Sequence, residues 1–312
     1  MGCWALAGGL TWGPQDKADS MATVHAALDV GINFFDTAEG YGAGESESVL
    51  GRALAGCRHE AVIATKVSRS NLSADAVRQA CEHSLERLRT DYIDLYQIHW
   101  PSRSVPLDET MAALEKLRQQ GKVRAVSVCN FGVQDLTDLL SVGSVETNQL
   151  PYNLLWRAIE FDIRQKCVDA GLGILCYSPL AQGLLTGKYA SPDEVPEGRA
   201  RTRLFSGDRP LARHGGLSYE VEVFAALERI RHICDEIGQP MANVALAWLL
   251  GQPGVMSVIA GARNPGQIRQ TAQAVDLELS SEIMNELTEV TDEVKQTLGP
   301  NPDMWQSESR FR

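Results

Sequence analysis

Eight short apolar runs alternate with amphipathic segments along this chain, and that alternation limits what it can fold into. The runs end at Leu6, Asp36, Lys66, His99, Asn130, Leu150, Tyr177 and Ile259. Between them, apolar residues recur at helical steps: Met21, Val24 and Leu28 before Gly31, then Val77, Cys81, Leu85 and Leu88, then Leu107, Met111, Leu114 and Leu117. Further helices are expected at 45–55, 133–140, 159–170, 265–275 and 280–294. Strands separated by helices pair in parallel. Eight such units in 312 residues fit an α/β class (β/α)8 TIM barrel, one domain over 1–312, better than an open doubly wound sheet. The open sheet usually carries a G-x-G-x-x-G turn after its first strand, and 40–44 does not match it. Segment 183–188 likewise fails the P-loop spacing, with Tyr189 where Ser or Thr is needed.

One stretch breaks the rhythm. Residues 190–218 lack periodicity and carry Arg199, Arg201, Arg203, Arg209 and Arg213. A long structureless loop in a compact domain is usually functional or disordered. It follows the seventh run, and barrels often hold phosphate with the loops after strands seven and eight. A solvated segment is the blander reading. The last helix, 280–294, is an extra C-terminal element.

The net charge of −11, with basic residues scattered, excludes a nucleic acid backbone as partner but leaves room for a small anion at a local cluster. Seven dispersed cysteines with no C-x-x-C pair point to neither a disulfide framework nor a zinc site. No apolar run approaches the ~18 residues of a membrane span. Residues 1–4 show no basic n-region, so no signal peptide and a cytoplasmic location are expected.

Barrel active sites lie at the C-terminal ends of the strands. Asp36, Lys66, His99, Asn130, Gln149 and Tyr177 all fall at such ends, and Tyr41 follows Asp36 across a glycine turn. A phenol with a pKa near ~10 is a poor donor, and a nearby ammonium is expected to lower it. A carboxylate keeps that ammonium charged, and a neutral histidine can bond a substrate oxygen. Together these suit protonation of a developing alkoxide, the acid half of carbonyl reduction. The hydride must come from a cofactor. Taken singly, Asp36 reads as a turn former, Lys66 as a solvated strand end, and His99 and Tyr177 as core; their joint occurrence favours catalysis. Trp4, Trp12 and Trp100 are expected to line a substrate pocket with Tyr41 and His99. Trp156 reads equally as pocket wall or packing, and His25, His59, His83 and His232 receive no role.

Five motifs carry a specific resemblance. They are Gly31-Ile-Asn-Phe-Phe-Asp36-Thr-Ala-x-x-Tyr41-Gly, Ala64-Thr-Lys66-Val, Asp94-Leu-Tyr-Gln-Ile-His99-Trp-Pro, Val128-Cys-Asn130-Phe, and Tyr177-Ser-Pro-Leu-Ala-Gln-Gly-Leu-Leu-Thr-Gly-Lys188-Tyr. Along nearly its whole length the chain resembles the aldo-keto reductases. Its Tyr-Ser-Pro-Leu run is similar to the branch near glycerol and aryl-alcohol reductases and channel β-subunits. The resemblance implies an NADP-dependent oxidoreductase acting on CH–OH donors, reducing small aldehydes or ketones. Tyr41 would be the general acid, Lys66 and Asp36 its tuners, and His99 the orienter of the carbonyl. It implies NADPH/NADP+ lying across the mouth, with Cys3, Trp4 and Asp36 near its reacting end. Cys129, Asn130 and Gln149 would hold the carboxamide, and Tyr177 would stack on the nicotinamide. Ser178, Leu180, Gln182, Gly183 and Lys188 would follow the diphosphate, with Arg199 and Arg203 over it. Gly261, Arg263, Gln267, Gln270 and Thr271 would surround the adenosine phosphate. Pro265 opens a helix whose N-terminus could face the same anion as Arg263, and 260–268 holds no carboxylate for a ribose hydroxyl, so NADPH is expected over NADH.

The chain departs from the family at three places. Gly2-Cys3-Trp4 stands at the family's Gly-Thr-Trp motif with no hairpin before it, so the first strand is curtailed or the natural start lies upstream. Cys129 replaces the usual Ser, and a thiol is the weaker donor. Gln270-Thr271 replaces a common Glu-Asn. An alternative function on the same fold is a nucleotide-binding, redox-sensing regulatory subunit with weak turnover. A metal-dependent barrel would need clustered ligands, and only His99 and Asp36 are available, so no metal is expected. Substrate, direction and oligomeric state are not legible in the sequence, nor is which of the 199–213 arginines meets the cofactor.

Overall fold

The structure is a computed structural model describing residues 1–312. Its strands are β1 (Phe34–Asp36), β2 (Val62–Val67), β3 (Ile93–Ile98), β4 (Val123–Cys129), β5 (Thr147–Pro151), β6 (Gly173–Tyr177) and β7 (Val255–Val258). They pair in chain order in one sheet, and each pairing with a defined register is parallel. Strands covered on both faces read as continuous apolar runs, and β3 is buried along its whole length. The runs ending near Asp36, Lys66, His99, Asn130, Leu150, Tyr177 and Ile259 therefore become strands.

The first run does not. Gly2 makes only isolated bridges, to Asp36 and to Gly261. The chain then turns: Leu6 N donates to Cys3 O at 3.1 Å, and Trp4–Ala7 is a 3-10 helix. Gly8 follows at φ 62°, in the left-handed region, where an added Cβ would stand 3.0 Å from Gly13 O. The expected eighth strand is thus a single rung.

By its internal contacts the chain forms two compact units. The first comprises residues 1–149, 261–269 and 312, and holds β1 to β4 with the start of β5. Its register sets Lys66 beside Gln97 and Cys129 beside Gln149. Helices Lys17–Asp29, Glu45–Ala53, Ala74–Leu88, Leu107–Gln119 and Val133–Val142 lie where the periodicity predicts. The loop at 8–14 differs, because one helical turn, Gly9–Trp12, sits inside it. Asp16 caps the next helix, its carboxylate accepting from Ala18 N and Asp19 N.

The second unit comprises 150–260 and 270–311. Two of its helices, Glu220–Glu236 and Met241–Leu250, lie beyond what the periodicity argument assigns. The latter buries nine successive residues, Met241 to Leu249, so it shows no polar stripe to read. The expected helix over 280–294 is two, Ser281–Glu289 and Asp292–Leu298. Arg157 sits at the break: its Nη1 donates to Thr288 O at 2.7 Å, Thr291 Oγ1 at 3.1 Å and Asp292 Oδ1 at 2.7 Å. Expected helix 159–170 likewise divides into Ala158–Glu160 and Ile163–Asp169. Trp156 is packing, with 1% exposure and its indole N–H on Pro302 O. No helix is long and apolar enough to cross a membrane.

Candidate active site

The first unit brings Asp36, Tyr41, Lys66 and His99 together. β1 ends in Asp36 and β2 delivers Lys66. Lys66 is fully buried, so all three of its N–H donors need partners. They find Asp36 Oδ1 at 2.6 Å, Thr37 O at 2.7 Å and the Tyr41 hydroxyl at 3.4 Å. Burial alone would lower the ammonium's pKa, but Asp36 first, with Tyr41 and Cys129, raises it, so the lysine is charged.

The phenol differs from expectation in sign. Burial pushes Tyr41 up to about 12, and Lys66 only partly pulls it back. The ammonium acts in the expected direction; desolvation of a phenolate is the larger effect. Tyr41 therefore holds its proton across the neutral range.

Rings pack around the Tyr41 ring. Trp4 stacks on Tyr41 with centroids 5.6 Å apart, Trp12 meets Trp4 edge-on at 5.5 Å, and His99 meets Tyr41 edge-on at 5.7 Å. Trp100, half-buried, follows His99. His99 extends the β3 ladder through its N–H to Val67 O at 2.9 Å. Its carbonyl accepts from Asn130 Nδ2 at 3.0 Å. Asn130 sits at φ 64°, a left-handed conformation that asparagine tolerates better than most residues.

Gln97 is absent from the sequence-derived site, yet it belongs to it. Its amide Nε2 donates to Asp36 Oδ2 at 3.1 Å. Gln149 Nε2 donates to the same oxygen at 2.7 Å and also lies 3.4 Å from Gln97 Oε1. Gln149, expected on a carboxamide, thus supports the carboxylate. Cys129 departs similarly: its thiol is directed at Gln97 Oε1, 3.5 Å away, and burial raises its pKa. The alternation of β3 carries the signal for Gln97, since 97 and 99 share a face.

Gly261, Arg263 and Gln267 also lie in the first unit. Arg263 N donates to Gln267 Oε1 at 2.9 Å. The second unit holds Tyr177 at the end of β6 and the turn after it. Ser178, Ala181 and Gln182 all adopt positive φ, at 53°, 46° and 55°. Gln182 is 8% exposed and neither polar atom of its amide has a partner. A Cβ on Gly183 would stand 3.2 Å from Lys188 Nζ, so the glycine leaves room for that ammonium. Leu180 ends the β6 turn, with its carbonyl accepting from Gly183 N at 2.8 Å. A strained turn, an orphaned amide and a lysine suit a polyanion such as a diphosphate. Gln270 is exposed on helix Pro265–Ala272, with Thr271 half-buried beside it.

Four of the 190–218 arginines make contacts within the protein. Arg203, expected on the cofactor, gives its guanidinium to Leu298 O at 3.2 Å and Asn301 O at 3.1 Å, over the Trp156 ring. Backbone carbonyls thus engage both its Nη1 and its Nη2. Arg199 Nη1 bonds the Tyr189 hydroxyl at 3.0 Å, Arg201 lies over Trp305, and Arg209 pairs with Glu220 at 2.7 Å.

A family model for the aldo/keto reductases matches residues 1–292. The chain belongs to the aldo/keto reductase family. It is 33% identical to the aldo-keto reductase YhdN of Bacillus subtilis, covering 96% of this chain and 92% of that protein. It is 34% identical to the NADH-specific methylglyoxal reductase of Escherichia coli over 93% of this chain and 94% of that one. Among solved structures, the glycerol dehydrogenase of Gluconobacter oxydans aligns with a TM-score of 0.80 and 34% identity, covering 97% and 92% of the two chains. A Klebsiella pneumoniae aldo-keto reductase in complex with NADPH aligns with a TM-score of 0.74 and 29% identity, over 93% and 89%. The α/β architecture of parallel strands and helices is that of this family. No three His, Cys, Asp or Glu side chains of this family member stand close enough to hold a metal ion.

Proposed function

We propose that this family member reduces small aldehydes or ketones to alcohols with NADPH, Tyr41 serving as general acid. The observation that carries the reading is the Lys66 ammonium held between Asp36 Oδ1 at 2.6 Å and the Tyr41 hydroxyl at 3.4 Å. When bound, the reduced nicotinamide supplies the hydride that no side chain can. Tyr41 donates its proton to the carbonyl oxygen as charge develops there, and Lys66 stabilises the phenolate left behind. Asp36 keeps Lys66 in place, and Gln97 and Gln149 keep Asp36 in place. His99, edge-on to Tyr41, orients the carbonyl oxygen. Trp4, Trp12 and Trp100 exclude water from an apolar pocket suited to short aliphatic or aromatic carbonyls. Names of relatives, a methylglyoxal reductase and a glycerol dehydrogenase, support small carbonyls and their alcohols.

Asn130 suits the carboxamide end of the cofactor, and Gln182 with Lys188 suits its diphosphate. One relative is named NADH-specific. NADPH is preferred for this chain because Arg263 brings a positive charge and no carboxylate lies in 260–268 to neutralise it. Seven cysteines, all unpaired, support a cytoplasmic location. The test is to mix the protein with NADPH and a panel of 4-nitrobenzaldehyde, methylglyoxal and glyceraldehyde while following nicotinamide absorbance. Turnover on at least one is expected; tight NADPH binding with negligible turnover on every carbonyl would overturn the reading in favour of a regulatory role.

A further inference from the structure

Arg263 is held by two adjacent residues from far away in sequence, Pro14 and Gln15. Gln15 Nε2 donates to Arg263 O at 2.8 Å, and Gln15 Oε1 accepts from Arg263 Nε at 2.9 Å. Pro14 O accepts from Nη2 of the same guanidinium. The backbone N–H of Arg263 is fixed in turn by Gln267 Oε1 at 2.9 Å. One edge of the planar fork is thereby occupied, while the Nη1 donors carry no protein bond. Gln15 has no local duty that would explain it: the helix after it is capped by Asp16, which bonds Ala18 N and Asp19 N.

Two features of this clasp matter for an anion. Gln15 is neutral, so it orders the guanidinium without cancelling its charge. An arginine already ordered loses little further rotamer freedom when a phosphate arrives. We propose that Gln15 is a positioning residue that sets the choice between NADPH and NADH, holding Arg263 with its Nη1 edge open to the 2′-phosphate. The proposal rests on the reading of Arg263 as the cation for that phosphate. NADH lacks the phosphate and gains nothing from the clasp. The side chain reaches the cofactor only through Arg263, so its signature is a change in cofactor ratio and not in the chemical step.

The test is calorimetric titration of NADPH and NADH into the full chain and its Gln15→Ala, Gln15→Met, Gln15→Glu and Arg263→Ala variants. Gln15→Ala and Gln15→Met remove the hold on Nε, leaving only Pro14 O on the guanidinium, and should weaken NADPH by roughly fivefold, part of the ordering cost of an arginine, with NADH affected by less than about twofold. Gln15→Glu keeps a partner for Nε but sets a negative charge beside the phosphate, so it should weaken NADPH by more than about tenfold and favour NADH. Gln15→Met preserves the side chain's bulk, so a fold defect peculiar to Gln15→Ala does not obscure the result. Unchanged NADPH affinity in Gln15→Met and Gln15→Glu, or equal weakening of both cofactors, overturns the proposal. If Arg263→Ala lowers the NADPH preference while the Gln15 variants do not, Arg263 keeps its role and Gln15 loses its own. If Arg263→Ala leaves the preference unchanged, the reading of Arg263 fails first.

Discussion

Lys66→Met tests the electrostatic centre of the site directly. The substitution keeps a long apolar stem and removes three contacts at once, to Asp36, Thr37 O and Tyr41. Removing one member of a buried pair costs about 3–5 kcal/mol, because the other charge stays behind without its partner. Asp36 Oδ2 keeps the amides of Gln97 and Gln149, at 3.1 and 2.7 Å. The expected loss therefore lies at the lower end, about 3 kcal/mol. Domain stabilities commonly reach ~5–15 kcal/mol, so the variant should still fold. The assay is urea unfolding of both proteins, comparing midpoints at unchanged m. Adding Asp36→Asn to the variant removes the stranded charge at constant size and should restore about 1–2 kcal/mol. A loss below about 1 kcal/mol, the range of exposed ion pairs, would refute the reasoning. So would a double variant less stable than Lys66→Met alone.

Tyr41→Phe should lower kcat for reduction by ~10²–10⁴-fold, with NADPH binding by calorimetry nearly intact; retention of more than about a tenth of the wild-type kcat would remove Tyr41 as general acid. Because burial holds the phenol up to about 12, Tyr41 stays protonated as pH rises through the neutral range. Alcohol oxidation needs the phenolate, so its kcat/KM should climb by about tenfold per pH unit, and a plateau below about pH 9 would place the phenol's pKa there instead. Glu160 gives a stability prediction in the second unit. Burial would raise its pKa, but hydrogen bonds from Arg157, Lys295 and Tyr152 outweigh this and lower it from 4.5 to about 2. A depressed carboxylate stabilises the fold above its unfolded pKa, and that contribution, about 3 kcal/mol, is lost as pH falls through the folded value. Thermal melts should show Glu160→Gln less stable at neutral pH, with the gap to wild type closing between pH 4.5 and about 2; a gap that does not depend on pH in that window counts against it.

The strand ends were legible because apolar runs stop abruptly at Asp36, Lys66 and His99, and each run became a strand or directly adjoins one. Gln97 was not, since an amide inside an apolar run gives no sign of its partner; only β-strand alternation from His99 points to it. The sign of the Tyr41 shift was hidden for a related reason. Sequence places a lysine near a phenol, while burial, the larger effect, is a property of the folded environment. Long-range seats were equally invisible. Arg203 and Arg157 sit on carbonyls 98 and 131 residues away in sequence, at Asn301 and Thr288. A run of arginines in an aperiodic loop reads as an anion trap until those acceptors are known. Helix Met241–Leu250 has the opposite problem: burial on every side erases the stripe that marks a helix.

On the proposed function, the site must leave its own nucleophiles unharmed by the carbonyl compounds it would handle. An amine attacks an aldehyde only as the free base, and a thiol chiefly as the thiolate. Lys66 is enclosed, its ammonium donors are occupied, and its pKa is raised, so no lone pair is available to form an imine. Cys3, buried beside Asp36 on the adjoining segment, is pushed up to about 12, and the buried Cys129 thiol is raised as well. The desolvation that keeps Tyr41 loaded with its proton thus also passivates both thiols around it, while the amine is kept protonated by Asp36 against that same desolvation.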